Sequence, residues 1–262
     1  MKIALHGATG RMGQAITRLI VAAPDLELVG AACAPDDPAI GRDVGVLAGV
    51  GNLGVQACPD VAAALLGAEV VIDFSNAHAV ANIVAQAVRH KVPLLSGTTG
   101  LDAANQEILN KAAQQIPVLW APNTSLGVQV LAELVEQALR RLGSDFDAEI
   151  VEIHHRKKAD SPSGTAKRLA DAVRAVRPEM NELHGRDGLV GSRTSEEVAV
   201  LGVRGGDVVG DHTVYLLGTG ERLELTHRAT SREMLASGAL RAARYIVKQK
   251  PGKLYRIADV LG

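Results

Sequence analysis

The stretch KIALHGATGRMGQAITRLIVAAPDLELVGAAC, Lys2–Cys33, decides the fold. Its first five residues are an apolar run of strand type. GATGRMG (residues 7–13) follows. QAITRLIVAA then has a helical pattern that stops at Pro24, and LELVGAAC reads as a second strand. A strand, a glycine turn, a helix and a strand in that order make a βαβ unit. Gly7, Gly10 and Gly13 give G-x-x-G-x-x-G, a variant of the dinucleotide fingerprint. Glycine lets the chain turn tightly, lets a pyrophosphate approach the backbone and lets the helix pack close to the strand. The helix start then offers N–H groups and the positive end of its dipole to phosphates. Placement between a strand and a helix is the context that gives such a motif weight.

The alternation continues outward from this unit. DVAAALLGA, AHAVANIVAQAVRHK and DAANQEILNKAAQQI read as helices, and EVVIDFS, VPLLSGTTG and PVLWAPN as strands with their loops. Such repetition predicts an α/β fold, a Rossmann-type doubly wound parallel sheet with helices on both faces. DDPAIGRDVGVLAGVGNLG (36–54) breaks the rhythm and reads as an irregular insertion. After about residue 125 the pattern changes. GVQVLAELVEQALRRLG is an amphipathic helix with Val128, Leu131, Leu134, Val135 and Leu139 as its apolar stripe. DAEIVEIHH is a strand and GTAKRLADAVRAV a helix. EEVAVLGVR, DVVGDHTVYLLG and ERLELTHRA are strands whose GG and GTG turns suit antiparallel pairing. The expected division is therefore a dinucleotide-binding domain, 1–125, and a C-terminal α+β domain, 126–232, for substrate and oligomerisation. The final helix, about 233–262, returns to the first.

Composition narrows the function. The formal net charge is −1 and aromatic residues make up 2%. This argues against a nucleic-acid partner, which asks for a basic excess or stacking platforms. Cys33 and Cys58 show no CxxC spacing, so neither a disulfide framework nor a metal site is read, and free thiols suit a cytoplasmic location. No apolar run approaches the ~18 residues of a membrane span.

Binding residues are expected beyond the carboxyl ends of the parallel strands. Two loops fall there: SGTTG (96–100), whose small hydroxyls and bare backbone suit a nicotinamide pocket, and APNTS (121–125). An acidic residue that grips the ribose belongs at the end of the second strand. That place holds Cys33, Ala34 and Pro35, with Asp36 and Asp37 arriving late and reading as a solvated turn. Arg11 is the one nearby cation within reach of a 2′-phosphate, so NADH and NADPH both stay open.

The second dense region is IHHRKKADSPSGTA (153–166), in which five proton-donating side chains precede a helix start. Ser163 has the character of an N-cap, and Gly164 and Thr165 would open the helix. N–H groups there suit a carboxylate. Histidine trades protons near neutrality, and lysine holds a carboxylate or protonates an intermediate. His154 and Lys158 are therefore the candidate acid–base groups, and Arg156 and Lys157 read as a solvated strand end. Arg232 is a candidate to close the site. His6, His78, His90, His184, His212 and His227 lack ligand spacing and read as surface or structural residues.

With these pieces in hand, the sequence resembles the 4-hydroxy-tetrahydrodipicolinate reductase (dihydrodipicolinate reductase) family nearly end to end. The resemblance rests on GATGRMG, VIDFS, SGTTG, APNTSLGV, EIHHRKKADSPSGTA, RGGDVVGDHTVYL and ERLELTHRATSR. It implies nicotinamide-dependent reduction of a cyclic imine dicarboxylate in the diaminopimelate and lysine pathway, by a homotetramer. It further implies dinucleotide contacts from Gly7, Ala8, Thr9, Gly10, Arg11 and Met12, and from Gly97, Thr98, Thr99, Ala121, Pro122, Asn123 and Thr124. His154 would be the proton donor or acceptor and Lys158 the second proton donor, with His155, Gly164 and Thr165 on the substrate. Ala34 and Pro35 depart from the acidic-then-Arg pair that the family often carries.

Overall fold

Ile3 to Leu5, fully buried, form the middle of a parallel sheet in the computed structural model, which describes residues 1–262. Contacts divide the chain into two units, residues 1–125 with 233–262, and residues 126–232.

The first unit contains β1 (Lys2–His6), α1 (Arg11–Val21), β2 (Glu27–Ala32), α2 (Val44–Ala48), β3 (Ala57–Cys58), α3 (Val61–Ala64), β4 (Val70–Asp73), α4 (Val80–His90), β5 (Leu94–Ser96), α5 (Ala103–Ala112) and β6 (Val118–Trp120). Its sheet has the order β3-β2-β1-β4-β5-β6, and every pair is parallel. β4 and β5 are buried at every position because helices cover both faces. Strand order reverses beside β1, so the crevice above β1 and β4 is the switch point at which such sheets bind ligands. Residues 36–54 are less irregular than their composition suggests. Asp43 accepts from Gly45 N and Val46 N, caps the short α2, and also holds Leu53 and Val55.

In the second unit follow α6 (Leu126–Leu142), β7 (Asp147–His154), α7 (Gly164–Val176), β8 (Asn181–Leu183), β9 (Glu197–Arg204), β10 (Gly210–Gly218) and β11 (Glu221–Ala229). The sheet order is β11-β10-β7-β9-β8. β10 is antiparallel to both β7 and β11, but β9 runs parallel to β7 and β8. The GG turn therefore does not make a hairpin of β9 and β10. Gly205 N donates to His154 O, and His155 N to Val208 O, so the connection crosses the end of β7 and places the two strands on opposite sides of it. α6 and α7 cover one sheet face, where Leu131, Val135, Leu139, Leu169 and Val173 pack on Ala148, Ile150, Val200 and Val214. Leu134 departs from the expected stripe and is exposed.

Two last elements, α8 (Glu233–Ile246) and β12 (Leu254–Tyr255), lie in the first unit, where β12 extends the parallel sheet beyond β6. α8 approaches closely enough that a Cβ on Gly238 would collide with the Thr124 carbonyl. Thr124 Oγ1 donates to Leu235 O at 2.7 Å.

Candidate active site

The glycine turn is built for close approach. Gly7 has φ +78°, a left-handed conformation in which a side chain would run into the Phe74 carbonyl, and a Cβ on Gly13 would strike the carbonyl of Ala8. Ala32 O accepts from both Gly7 N and Ala8 N, tying the turn to the end of β2. The start of α1 carries no side-chain acceptor. Asp43, Asp60, Asp102 and Ser163 cap α2, α3, α5 and α7 with side-chain oxygens, whereas Gly10 brings none and the first turn of α1 holds no acid. A helix start without a side-chain acceptor has its N–H groups and dipole available to a phosphate. Arg11 is exposed there. These residues fit a dinucleotide.

Beneath the turn lies a buried carboxylate. His6 and Asp73 are register partners on β1 and β4. Asp73 has no solvent exposure and accepts from His6 Nδ1 at 2.8 Å, Ser75 Oγ at 2.6 Å, Ser96 Oγ at 2.8 Å and Thr98 Oγ1 at 2.8 Å. Burial raises its pKa, but His6, Ser75 and Ser96 outweigh burial and hold it below the ordinary value. Thr98 therefore turns its hydroxyl into the protein and has only backbone to offer a ligand, while Thr99 is exposed. The Gly97 position is closed to a side chain by the Phe74 ring. In the next loop Ala121 is buried, Pro122 exposed and Thr124 committed to α8, and Asn123 Oδ1 accepts from Ser125 N. Asp37 accepts from Thr9 Oγ1 at 2.5 Å and from Ala39 N, so it is part of the glycine turn and not merely a solvated bend. The Thr9 bond keeps its carboxyl below the usual range.

In the second unit the strand period places Glu152 and His154 two residues apart on the inner face of β7. Both are buried, and Glu152 Oε2 meets His154 Nδ1 at 2.5 Å. Arg204 reaches both carboxylate oxygens at 2.7 and 2.8 Å, and Ser163 N donates to Oε1 at 3.1 Å. Burial pushes the Glu152 carboxyl up, yet Arg204, His154 and Ser163 hold it below its ordinary value. For His154 desolvation dominates, and Lys158 and Arg204 add to it, so the ring titrates below its ordinary value despite Glu152. Ser163 Oγ caps α7 by accepting from Ala166 N and also meets His212 Nε2 at 3.0 Å. His212 stands edge-on to His154, with centroids 5.0 Å apart. Burial, then His154, pushes its pKa down to about 3, so this ring is neutral at physiological pH.

Lys158 is ion-paired to Asp160 at 2.7 Å. Arg232 Nη2 donates to His155 Nε2 at 2.9 Å, which leaves the proton on His155 Nδ1, a buried atom with no hydrogen-bond partner. Gly164 is exposed, and nothing lies within 4 Å of the place its Cβ would take. Arg156 and Lys157 are exposed.

Two family models span the chain: dihydrodipicolinate reductase, N-terminus, over residues 1–124, and dihydrodipicolinate reductase, C-terminus, over 127–261. Relatives named 4-hydroxy-tetrahydrodipicolinate reductase agree along the whole length. The one from Anaeromyxobacter sp. is 48% identical, over 100% of this chain and 98% of its own. That from Geotalea daltonii is 43% identical, over 100% and 99%. The chain belongs to the dihydrodipicolinate reductase family. Its fold matches the dipicolinate-bound dihydrodipicolinate reductase from Paenisporosarcina sp. TG-14, with a TM-score of 0.77, 22% identity and coverage of 98% and 97% of the two chains. GenD2 from gentamicin A biosynthesis, solved in complex with NAD, shares the fold more distantly, with a TM-score of 0.62, 14% identity and coverage of 100% and 90% of the two chains.

As a member of this family the protein is an oxidoreductase that works with a nicotinamide nucleotide. Reading residues singly missed Asp73, Glu152, Arg204 and His212. Periodicity held the signal for two of them. Glu152 falls in phase with the buried Ala148 and Ile150, and His212 with Val214 and Leu216. A polar residue on a core-facing phase is buried and must be partnered.

Proposed function

We propose that the protein is the NAD(P)H-dependent 4-hydroxy-tetrahydrodipicolinate reductase of the diaminopimelate and lysine pathway, with the dicarboxylate on the second unit. The observation that carries this reading is the Glu152–His154 pair beside the Ser163-capped start of α7. One ring nitrogen is committed to a carboxylate and the other is left for proton transfer, next to a helix start suited to an anion.

A buried donor such as His155 Nδ1–H is rarely left without a partner, and a substrate carboxylate would satisfy it. Backbone at Gly164 and Thr165 would receive the same carboxylate, and Lys158 would leave Asp160 to hold or protonate the ring. When bound at the Gly7–Met12 turn, the 97–99 loop and the 121–124 loop, the nicotinamide nucleotide supplies a hydride. Overall, substrate, reduced cofactor and one proton become tetrahydrodipicolinate, oxidised cofactor and water. His154 would give its Nε2 proton to the departing hydroxyl and its freed Nε2 would take the ring C–H proton lost with it, and Lys158 would protonate the ring nitrogen as hydride adds, so that one proton is consumed in all.

The helix-free face of the second sheet carries Val151, Ile153, Leu201, Val203, Tyr215 and Leu217, and this supports a homotetramer that covers it. No helix is long and apolar enough to cross a membrane, and a cytoplasmic location fits a pathway of small metabolites.

Calorimetric titration with dipicolinate tests the substrate half directly. His155→Ala and Lys158→Ala should each weaken binding by about tenfold, the loss of one charge-assisted contact. Unchanged binding in both variants would remove the 154–165 segment from the substrate site.

A further inference from the structure

We propose that Glu152 is a positioning residue: with Arg204 it fixes which nitrogen of His154 carries the exchangeable proton, and it ties that ring to the start of α7. The inference rests on the reading of His154 as the proton-transfer group and goes beyond it.

The hydrogen-bond partners leave one assignment. Arg204 and Ser163 N are obligate donors, so the Glu152 carboxylate that faces them is an acceptor. The remaining contact must then be donated by His154, from Nδ1. The neutral ring is the Nδ1–H tautomer and its Nε2 is a lone pair. When the ring is protonated, Nε2 is the atom that releases the proton. The same carboxylate holds Ser163 N, and Ser163 Oγ caps α7. One buried group therefore fixes the ring against the helix start.

The sheet makes room for this arrangement. Gly202 is the register partner of Glu152 on β9, and a Cβ there would collide with Ser161 Oγ and stand 3.1 Å from Glu152 Oε1. A Cβ on Gly210, in β10, would stand 2.9 Å from His154 Nε2. Glycine on both flanking strands leaves space for the carboxylate and the ring. Neither glycine has the positive φ that would explain it as a turn residue.

The groups facing His154 set the sign of the test. Glu152, on its own strand, favours the cation. Arg204 on β9 and Lys158 in the following loop oppose it. His212 on β10 is neutral, and Asp160 partly answers Lys158. Removing the Glu152 charge leaves His154 facing two cations, and its pKa should fall. Removing Arg204 leaves Glu152 uncompensated, and the His154 pKa should rise.

Ring-proton and ring-nitrogen NMR of the intact protein, with His154 assigned by His154→Asn, reads both tautomer and titration without turnover. The expected results are an Nδ1–H tautomer in the wild type, a pKa lowered by about one unit in Glu152→Gln and raised by a similar amount in Arg204→Met. Glu152→Asp, which keeps the charge, should restore much of the wild-type titration. It also serves, with Arg204→Met, if Glu152→Gln does not fold. In turnover, Glu152→Gln should lower kcat by about tenfold or more, with the KM for the nucleotide unchanged. Identical tautomer and titration in all variants would overturn the proposal and leave Glu152 a structural residue. A titration that moves as expected while kcat stays at the wild-type value supports the positioning of the ring and overturns the proton-transfer role of His154.

Discussion

Asp73 and Glu152 are both wholly buried carboxylates, each bonded to the Nδ1 of a histidine, yet they are satisfied in different ways. Around Asp73 the other side-chain partners are the hydroxyls of Ser75, Ser96 and Thr98, all on loops or strand ends beside the glycine turn. Around Glu152 the main partner is the guanidinium of Arg204. Hydroxyls stabilise an anion without neutralising it, and because they come from separate segments they lock loop geometry. A guanidinium cancels the charge and so governs how strongly the anion acts on the neighbouring ring. The first arrangement suits a floor under a bound nucleotide, and the second suits control of a proton.

Substitution should separate the two. Asp73→Ala strands the buried Ser96 and Thr98 hydroxyls and His6 without an acceptor. It should cost about 3–5 kcal/mol of unfolding free energy, measured by urea denaturation. Glu152→Gln keeps one acceptor oxygen, and Arg204 is exposed enough to hydrate. Its cost should be only about 1–2 kcal/mol. The reverse order would break the distinction.

A smaller effect comes from pH. The folded pKa of His212 lies at about 3, below that of the unfolded chain. A base with a depressed folded pKa contributes full stability above the unfolded value of about 6.5 and loses it as the pH falls toward the folded value. The wild type should therefore lose up to about 3 kcal/mol from this ring between pH 6.5 and 4. His212→Asn should show a correspondingly shallower decline in denaturation curves across that window. Asp73 and Glu152 share this sign but not the window: their depressed carboxyl pKa values favour the fold above the ordinary carboxylate range, and that contribution is lost only at pH below it.

Asp37 offers the smallest change. Its carboxylate, fixed by Thr9 at the glycine turn, adds negative charge close to where a 2′-phosphate would lie if the usual ribose geometry holds. Asp37→Asn should raise kcat/KM for NADPH relative to NADH by only about two- to fivefold, because the group is half-buried at most and solvent screens it. An unchanged ratio would remove Asp37 from cofactor choice.

Much of this was legible in the chain. The strand, glycine turn and helix of Lys2–Val21, the strand run up to Trp120 and the Ser163 cap follow from local pattern alone. The parallel course of β9 was not legible, because partner choice in a sheet depends on where the connection crosses, and the 205–208 turn crosses β7. The hydroxyls of Thr98 and Thr124 look ready for a ligand in the sequence. Their actual acceptors, Asp73 and Leu235, lie 25 and 111 residues away and leave no local trace. Glu152 was visible in principle, as a charged residue in phase with a buried strand face, but only folding shows that Arg204 answers it.

The most direct measurement follows oxidation of the reduced nicotinamide nucleotide when freshly generated 4-hydroxy-tetrahydrodipicolinate is added to the purified protein, with His154→Asn in parallel. The account predicts oxidation that depends on substrate and falls by a factor of about one hundred or more in the variant. Binding of the nucleotide without its oxidation, or equal rates in the two proteins, would contradict it.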